Sequence, residues 1–401
     1  MNLARHSLVL ACVLSVASCA HAQVPYNFSE VTAHCQDAVA GLNVEVPVRG
    51  FELILLKNGE VVYHRAFGQW TIGRAANADS ATKTLSGALI MSLTEQSSLP
   101  FSLDSQLSQF IPAFNGSKQN ITIRQCFSHT AGFAESQAVA SRMLTLQQTA
   151  AWIAASTLAF APGSTFAYGG TSMHAAGAAA ELAAGIPWNT AFSQRITGPL
   201  GLTVTRFVLT SPANPRIAGG CESVGTEFAR FMEMLRRGGE IDGTRVLTSA
   251  SVQAMFTRQS PLGVPIASSP LEGSSDYGVG VWLDQRDESG NLTGAIAAGA
   301  RGFASWIDFD DEMVGCFATD LATPGNCLPL YYLLRDSAQD AVRAACIGDF
   351  NKDGGVDGED VGAFFAGWEN AVPAADVNRD GGIDGADVSA FFVFWSAGAT
   401  C

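Results

Sequence analysis

The chain has 401 residues, 47% of them apolar and 15% charged, a globular composition that excludes a disordered, collagen-like or coiled-coil protein. The formal net charge of −14 argues against a nucleic-acid partner. More than half of that charge lies in residues 346–401, where ten Asp and Glu face only Lys352 and Arg379, so the tail reads as a separate segment.

From the start of the chain, Arg5, the apolar run Leu8 to Ala17 and the small-x-small site Ala20-His21-Ala22 form a signal peptide over residues 1–22, with a mature start near Gln23. The run is too short to cross about 30 Å of hydrocarbon. Val16-Ala17-Ser18-Cys19 resembles a weak lipobox, so a form lipid-anchored through Cys19 is the alternative to simple export, secreted or periplasmic. No later apolar run has the length of a transmembrane segment. Loss of the leader leaves Cys35, Cys126, Cys221, Cys316, Cys327, Cys346 and Cys401, an odd number that keeps at least one thiol free. Their spacing matches no zinc site. Cys126, in an apolar stretch, reads as a small buried hydrophobe. Cys346 and Cys401 bracket the acidic tail and are expected to pair.

Residues 50–70 alternate and carry β-formers. Asn58-Gly59 between Phe51–Leu56 and Val61–Tyr63 predicts a hairpin. From Thr84 the period becomes helical, through Leu85, Ala88, Leu89, Ser92 and Leu93. An Ala-rich helix is expected over Met173–Ala184, and strands return at Gly278–Leu283, Ser305–Asp308 and Met313–Thr319. Strands at both ends with helices between predict one antiparallel sheet and a helical insertion.

No G-x-S-x-G, H-E-x-x-H or Walker motif occurs. Ser80-Ala81-Thr82-Lys83 does, at the mouth of the apolar helix. Three residues apart on a helix is one face, so Lys83 can reach the Ser80 hydroxyl, and the helix N-terminus favours developing negative charge there. Three stretches follow in order: Ile121 to Gly132 containing Ser128-His129-Thr130, Phe160 to Gly170 containing Tyr168-Gly169-Gly170, and Pro199-Leu200-Gly201-Leu202. Together they resemble the serine β-lactamase-related family of class C β-lactamases, D-alanyl-D-alanine peptidases and family VIII esterases, over roughly residues 45–335.

The resemblance implies an α/β (α+β) fold, a β-lactamase-like antiparallel sheet flanked by helices with an all-helical subdomain, over residues 23–340. It implies Ser80 as nucleophile and Lys83 with Tyr168 as a paired base that takes and returns a proton. The family's third motif corresponds to Ala297-Ala298-Gly299-Ala300, and the backbone N–H of Ala300 would join that of Ser80 as oxyanion donors. Two departures stand out: Ala297 replaces the motif cation, and Gly170 replaces the Asn of Tyr-x-Asn. Both weaken β-lactam recognition more than acyl transfer. Arg301 either replaces the cation or faces solvent. In the family the Ser-His-Thr stretch is a structural turn, so His129 is read as structural, and His64 and His174 as surface or core residues. Tyr277 matches a strand that lines the fold, where packing is its role. The expected activity is carboxylesterase, ahead of β-lactamase or D-alanyl-D-alanine peptidase, on a small ester or amide. A fold that has lost catalysis and serves as a binding protein is the rival.

The tail contains a repeat. Asp349 to Asp360 recurs 27 positions later as Asp376 to Asp387, each copy followed by an apolar run ending in Trp, at Trp368 and Trp395. Oxygen ligands fall at loop positions 1, 3, 5, 9 and 12 with Gly at position 6, the pattern of a calcium loop. Two structural Ca²⁺ ions are expected, one held by Asp349, Asn351, Asp353, Asp357 and Asp360 and the other by Asp376, Asn378, Asp380, Asp384 and Asp387. The pattern resembles the two repeats of a dockerin, which implies a small all-α domain over residues 346–401 and a cohesin-like partner. Positions 10 and 11, Gly358-Glu359 and Gly385-Ala386, lack the Ser/Thr-type residues by which cellulase dockerins read a cohesin.

Overall fold

The computed structural model describes residues 26–45, 48–322, 324–325, 327–345, 347–351, 355–378 and 380–396. The expected leader, Cys19 and the Cys346–Cys401 pair lie outside the described residues. The chain divides into two compact units, with Phe28–Asp340 forming the larger. Among the described residues no helix is long and apolar enough to cross a membrane.

In the larger unit, helix α1 (Ser29–Ala40) precedes the hairpin β1 (Gly50–Lys57) and β2 (Glu60–Gly68). Asn58 and Gly59 have φ of 53° and 87°, the two left-handed residues that let a two-residue turn follow the strand twist. The late strands are β3 (Trp282–Arg286), β4 (Leu292–Ala298), β5 (Ala304–Asp308) and β6 (Met313–Ala318). They join the hairpin in a six-stranded sheet ordered β3-β4-β5-β6-β1-β2, antiparallel throughout. The first and last strands of the sequence thus meet in its middle, Leu53 opposite Phe317.

The longer helices between are α2 (Thr82–Thr94), α3 (Leu146–Ala155), α4 (Thr171–Ala184) and α5 (Gly225–Arg236), with α6 (Leu328–Ala345) after the sheet. Alternation along the strands serves two layers. Ile54, Leu56, Ile307 and Val314 join the main core with Phe228, Phe231 and Met232 of α5. Trp306 packs edge-on to Tyr331 of α6, and Arg335 of α6 donates to Asp284 of β3 at 2.6 Å. Helix α2 is buried on every side from Thr82 to Leu93, which explains its apolar sequence without a polar stripe.

One expected strand is displaced. Gly278–Val281 is not a strand; pairing starts at Trp282. The stretch turns instead so that its backbone can touch α2. A Cβ on Gly280, where φ is 79°, would lie 2.2 Å from the Lys83 carbonyl, and one on Gly87 would lie 2.2 Å from that of Val279. Thr84 Oγ1 donates to the Gly280 carbonyl at 2.9 Å. The glycines therefore allow two backbones to pack directly, at the turn of α2 that carries Lys83.

The second unit contains α7 (Gly358–Glu369) and α8 (Gly385–Ser396), each starting where a repeat loop ends. Phe364 and Phe391, equivalent in the two repeats, stack at 4.2 Å with their planes 1° apart.

Candidate active site

Ser80 sits in a single 3₁₀ turn, Asp79–Ala81, that runs into α2. Its Oγ accepts a hydrogen bond from Lys83 Nζ at 3.0 Å. Lys83 is 3% exposed, so its three donor directions are confined. One meets Ser80, a second the Ala218 carbonyl at 2.9 Å, and the Tyr168 ring lies 4.6 Å from Nζ. The ammonium is thus held by a hydroxyl, a carbonyl dipole and a π-face, with no carboxylate within ion-pair distance of it among the described residues. The Tyr168 ring is also stacked on Trp282 at 5.3 Å and 21°.

Ala300 follows β4 and lines the same cleft as Ser80. Gly299 brings it there, since a Cβ at that position would lie 2.4 Å from the Ala78 carbonyl and 3.2 Å from Asp79 Cβ. The residues expected from sequence as Ser80, Lys83, Tyr168 and Ala300 therefore converge, from α2, from the segment before α4 and from the end of β4.

Arg301 takes neither of the two expected roles. It grips Asp79 through two bonds of 2.8 and 2.9 Å and lies 3.1 Å from Asp320. With two carboxylates on its guanidinium, it is neither the substitute cation nor a solvated side chain. Ala297 is 2% exposed and part of the core.

His129 is buried with φ of 59°. Burial, and secondly the nearby Lys83 charge, hold its imidazole well below the usual histidine range, so it stays neutral and accepts from the Gly169 N–H at 3.4 Å. His174 is also buried and bonded to Asn214 Oδ1 at 2.8 Å, and burial drops its pKa to about 4. His64 lies against the buried Glu52 at 2.8 Å. Tyr277 is 1% exposed, with its ring packed on His129 and Trp282.

Sequence reasoning missed three residues of the cleft. Glu135 accepts from the Gly170 and Thr171 N–H groups at 2.9 and 3.3 Å, at the start of α4. A Cβ on Gly169 would stand 1.9 Å from its Oε1, so the Gly-Gly pair after Tyr168 makes room for this carboxylate. That pair was the available signal. Trp282 and Arg216 had none, because nothing in the chain links them to Ser80 until the fold is closed.

The cleft has two compartments that share Ser80, Tyr168, Ala300 and Pro324. One, of about 350 Å³, is walled by Leu271, Trp282, Ile296, Leu328 and Tyr331. The other, of about 520 Å³, is charged and contains Asp79, Glu135, Arg216 and Arg301.

The beta-lactamase family model matches residues 36–328. The chain belongs to the beta-lactamase family. A crystal structure of a Bacteroides dorei protein with a provisional beta-lactamase assignment is 24% identical, with a TM-score of 0.70 over 79% of this chain and 99% of that one. A family VIII carboxylesterase is 18% identical, with a TM-score of 0.62 over 78% and 97%. A penicillin-binding protein homologue from Caulobacter crescentus is 20% identical, with a TM-score of 0.61 over 78% and 97%. At these identities the likeness is one of fold. A search of curated proteins finds no match.

In the second unit the described residues of the two repeat loops close in the same way. Asp360 accepts from the Asn351 and Asp357 N–H groups at 3.0 and 2.8 Å, and Asp387 from those of Asn378 and Asp384 at 3.1 and 2.8 Å. Both position-12 carboxylates are fully buried, and Asp349 is 5% exposed. Such a donor set, hard oxygens on a tight loop, suits Ca²⁺. Among the described residues no three His, Cys, Asp or Glu side chains are gathered as a metal cluster. Asp353 lies outside the described residues, while Asp376, Asn378, Asp380 and Asp384 lie on the second loop.

Proposed function

We propose that this member of the beta-lactamase family is an exported serine hydrolase of carboxylesterase type, acting through an acyl-enzyme on Ser80. The observation that carries the reading is Lys83 Nζ at 3.0 Å from Ser80 Oγ and 4.6 Å from the Tyr168 ring, inside a cleft. Ser80 Oγ attacks the substrate carbonyl carbon while its proton passes to the Lys83/Tyr168 pair, whose base form is a Tyr168 phenolate beside the Lys83 ammonium. The backbone N–H groups of Ser80 and Ala300 receive the oxyanion. The bond to the leaving oxygen breaks, the pair returns the proton to that oxygen, and the alcohol departs. Water then attacks the acyl carbon, gives its proton to the pair, and the proton returns to Ser80 as the carboxylic acid leaves. An amide enters the same sequence with nitrogen as the leaving atom. Esters are favoured over β-lactams because Ala297 and Gly170 supply neither a cation nor an amide. Labelling with a fluorophosphonate and peptide mapping tests the nucleophile: Ser80 should carry the label, and Ser80→Ala should lose p-nitrophenyl butyrate turnover. Undiminished hydrolysis by Ser80→Ala would sink this reading.

For the tail we propose a dockerin-like module. Asp349, Asn351, Asp353, Asp357 and Asp360 would hold one Ca²⁺, and Asp376, Asn378, Asp380, Asp384 and Asp387 the other. The ion would supply structure rather than chemistry, since its binding free energy becomes folding free energy. The implied cohesin-like partner would meet Gly358-Glu359 and Gly385-Ala386, and a pull-down with a cohesin domain tests it.

A further inference from the structure

We infer that Arg216 is the specificity-determining cation of this cleft and reads a carboxylate on the substrate. The inference rests on the hydrolase reading above and adds a substrate class to it: esters that carry an acidic group. The charged compartment holds two arginines. Arg301 is spent on Asp79 and Asp320. Arg216 lines the same compartment as Ser80 and Lys83, is exposed, and has no ion-pair or hydrogen-bond partner for its guanidinium among the described residues.

Its mount, by contrast, is fixed at both sides. Asn214, fully buried, is bonded to Thr149, His174 and the Ser141 carbonyl. On the other side, the Ile217 carbonyl accepts from Ser86 Oγ at 2.6 Å and the Ala218 carbonyl from Lys83 Nζ at 2.9 Å. The segment that carries Arg216 is therefore bolted to α2, the helix into which the nucleophile turn runs. A free guanidinium on a rigid backbone is pre-organised for a planar, two-oxygen anion.

The charges around it allow an anion to enter. Asp79 is paired with Arg301, and the Glu135 carboxylate is held by two N–H groups at the start of the 14-residue α4, where the helix dipole favours its charge. The end of β4 offers no competing cation, because Ala297 lies in the core. Recognition thus comes from the segment before α5 instead of from the strand.

The carboxylate can belong to the acyl half or to the leaving half, and two probes separate these sources. 4-Nitrophenyl hemisuccinate carries it on the acyl group and 4-carboxyphenyl butyrate on the leaving group. Each is compared with its methyl ester by the rate of phenol release. Wild type should prefer the acid over its methyl ester in at least one pair. Arg216→Ala should reduce that preference about ten-fold or more, the scale of a lost hydrogen bond to a charged group. Arg216→Lys, a point charge without the fork, should restore part of it. A preference unchanged by Arg216→Ala, or no preference in either pair, would overturn the inference. If wild type turns over none of the four compounds, the hydrolase reading falls, and calorimetry still decides on Arg216. The acids should then bind Ser80→Ala about ten-fold more tightly than Ser80→Ala/Arg216→Ala; equal binding overturns the inference.

Discussion

Arg301 closes a fork on Asp79, the residue immediately before Ser80, and so ties the nucleophile turn to the segment that follows Ala300. Asp79 has a φ of 45°, a left-handed conformation unusual for a side-chain-bearing residue, and the ion pair helps to hold it there. Arg301→Gln should let the turn relax. We expect kcat to fall about ten-fold, since a charged hydrogen bond contributes about 1.5–3 kcal/mol, with KM changed less. Steady-state kinetics against thermal melting checks this; a loss of stability with unchanged kcat would make the pair purely structural.

Tyr168 offers both a ring and a hydroxyl. Tyr168→Phe keeps the stack on Trp282 and the face presented to Lys83 while removing the proton carrier. Proton transfer by a positioned group contributes about 10²–10⁴-fold. A drop of that size in kcat, with the melting temperature within about 2 °C of wild type, is the expected result. Full activity in the Phe variant would assign the proton to Lys83 alone.

The Gly169 position gives a test that depends on geometry alone. A methyl there would overlap Glu135 Oε1, so Gly169→Ala should destabilise by about 1–3 kcal/mol. The same substitution in a Glu135→Ala background should cost much less. Denaturant melts of the four proteins complete the cycle, and an additive double mutant would show that the two residues do not compete for this space.

His174 links stability to pH. Its folded pKa is lowered to about 4 from an ordinary value of 6.5, so between these values the unfolded chain binds more protons than the folded one. Its contribution is fully present above about pH 6.5 and declines as pH falls toward about 4. His174→Gln, which keeps a donor for Asn214 and carries no charge, should show a shallower fall in melting temperature from pH 7 to pH 4.5. Parallel curves would mean that other groups account for the acid sensitivity.

Calorimetry of the full chain, stripped with chelator, should register two Ca²⁺ ions. Asp360→Asn and Asp387→Asn should each remove one, because each carboxylate closes one loop. Unchanged stoichiometry in either variant would exclude that loop as a site.

The hairpin was legible because Asn58-Gly59 is local turn chemistry, and α2 and α4 because their apolar runs outlast any strand. Ser80, Lys83 and Tyr168 were legible through short motifs that bring their own geometry. The late strand was misplaced because Val279, Val281 and Leu283 alternate like a strand, while the backbone of Val279 and Gly280 is shaped by contact with α2. The contacts of Glu135, Arg216 and Arg301 were illegible for a common reason. Each meets its surroundings only in the closed fold, Glu135 the N–H groups of Gly170 and Thr171, Arg301 the carboxylate of Asp79 across 222 positions, and Arg216 the cleft of Ser80; charge alone does not say which carboxylate an arginine will meet.

In the tail, Trp368 Nε1 donates to the Asp384 carbonyl at 3.0 Å, and Trp395 Nε1 to the Asp357 carbonyl at 2.6 Å. The indole of each repeat fastens the loop of the other, and Phe364 and Phe391 meet between them. Neither 27-residue copy is therefore a finished piece of protein. Half the segment would leave an indole without its carbonyl and a phenyl face bare to water, so the duplication is the smallest unit that this arrangement supports. The two halves should melt as one.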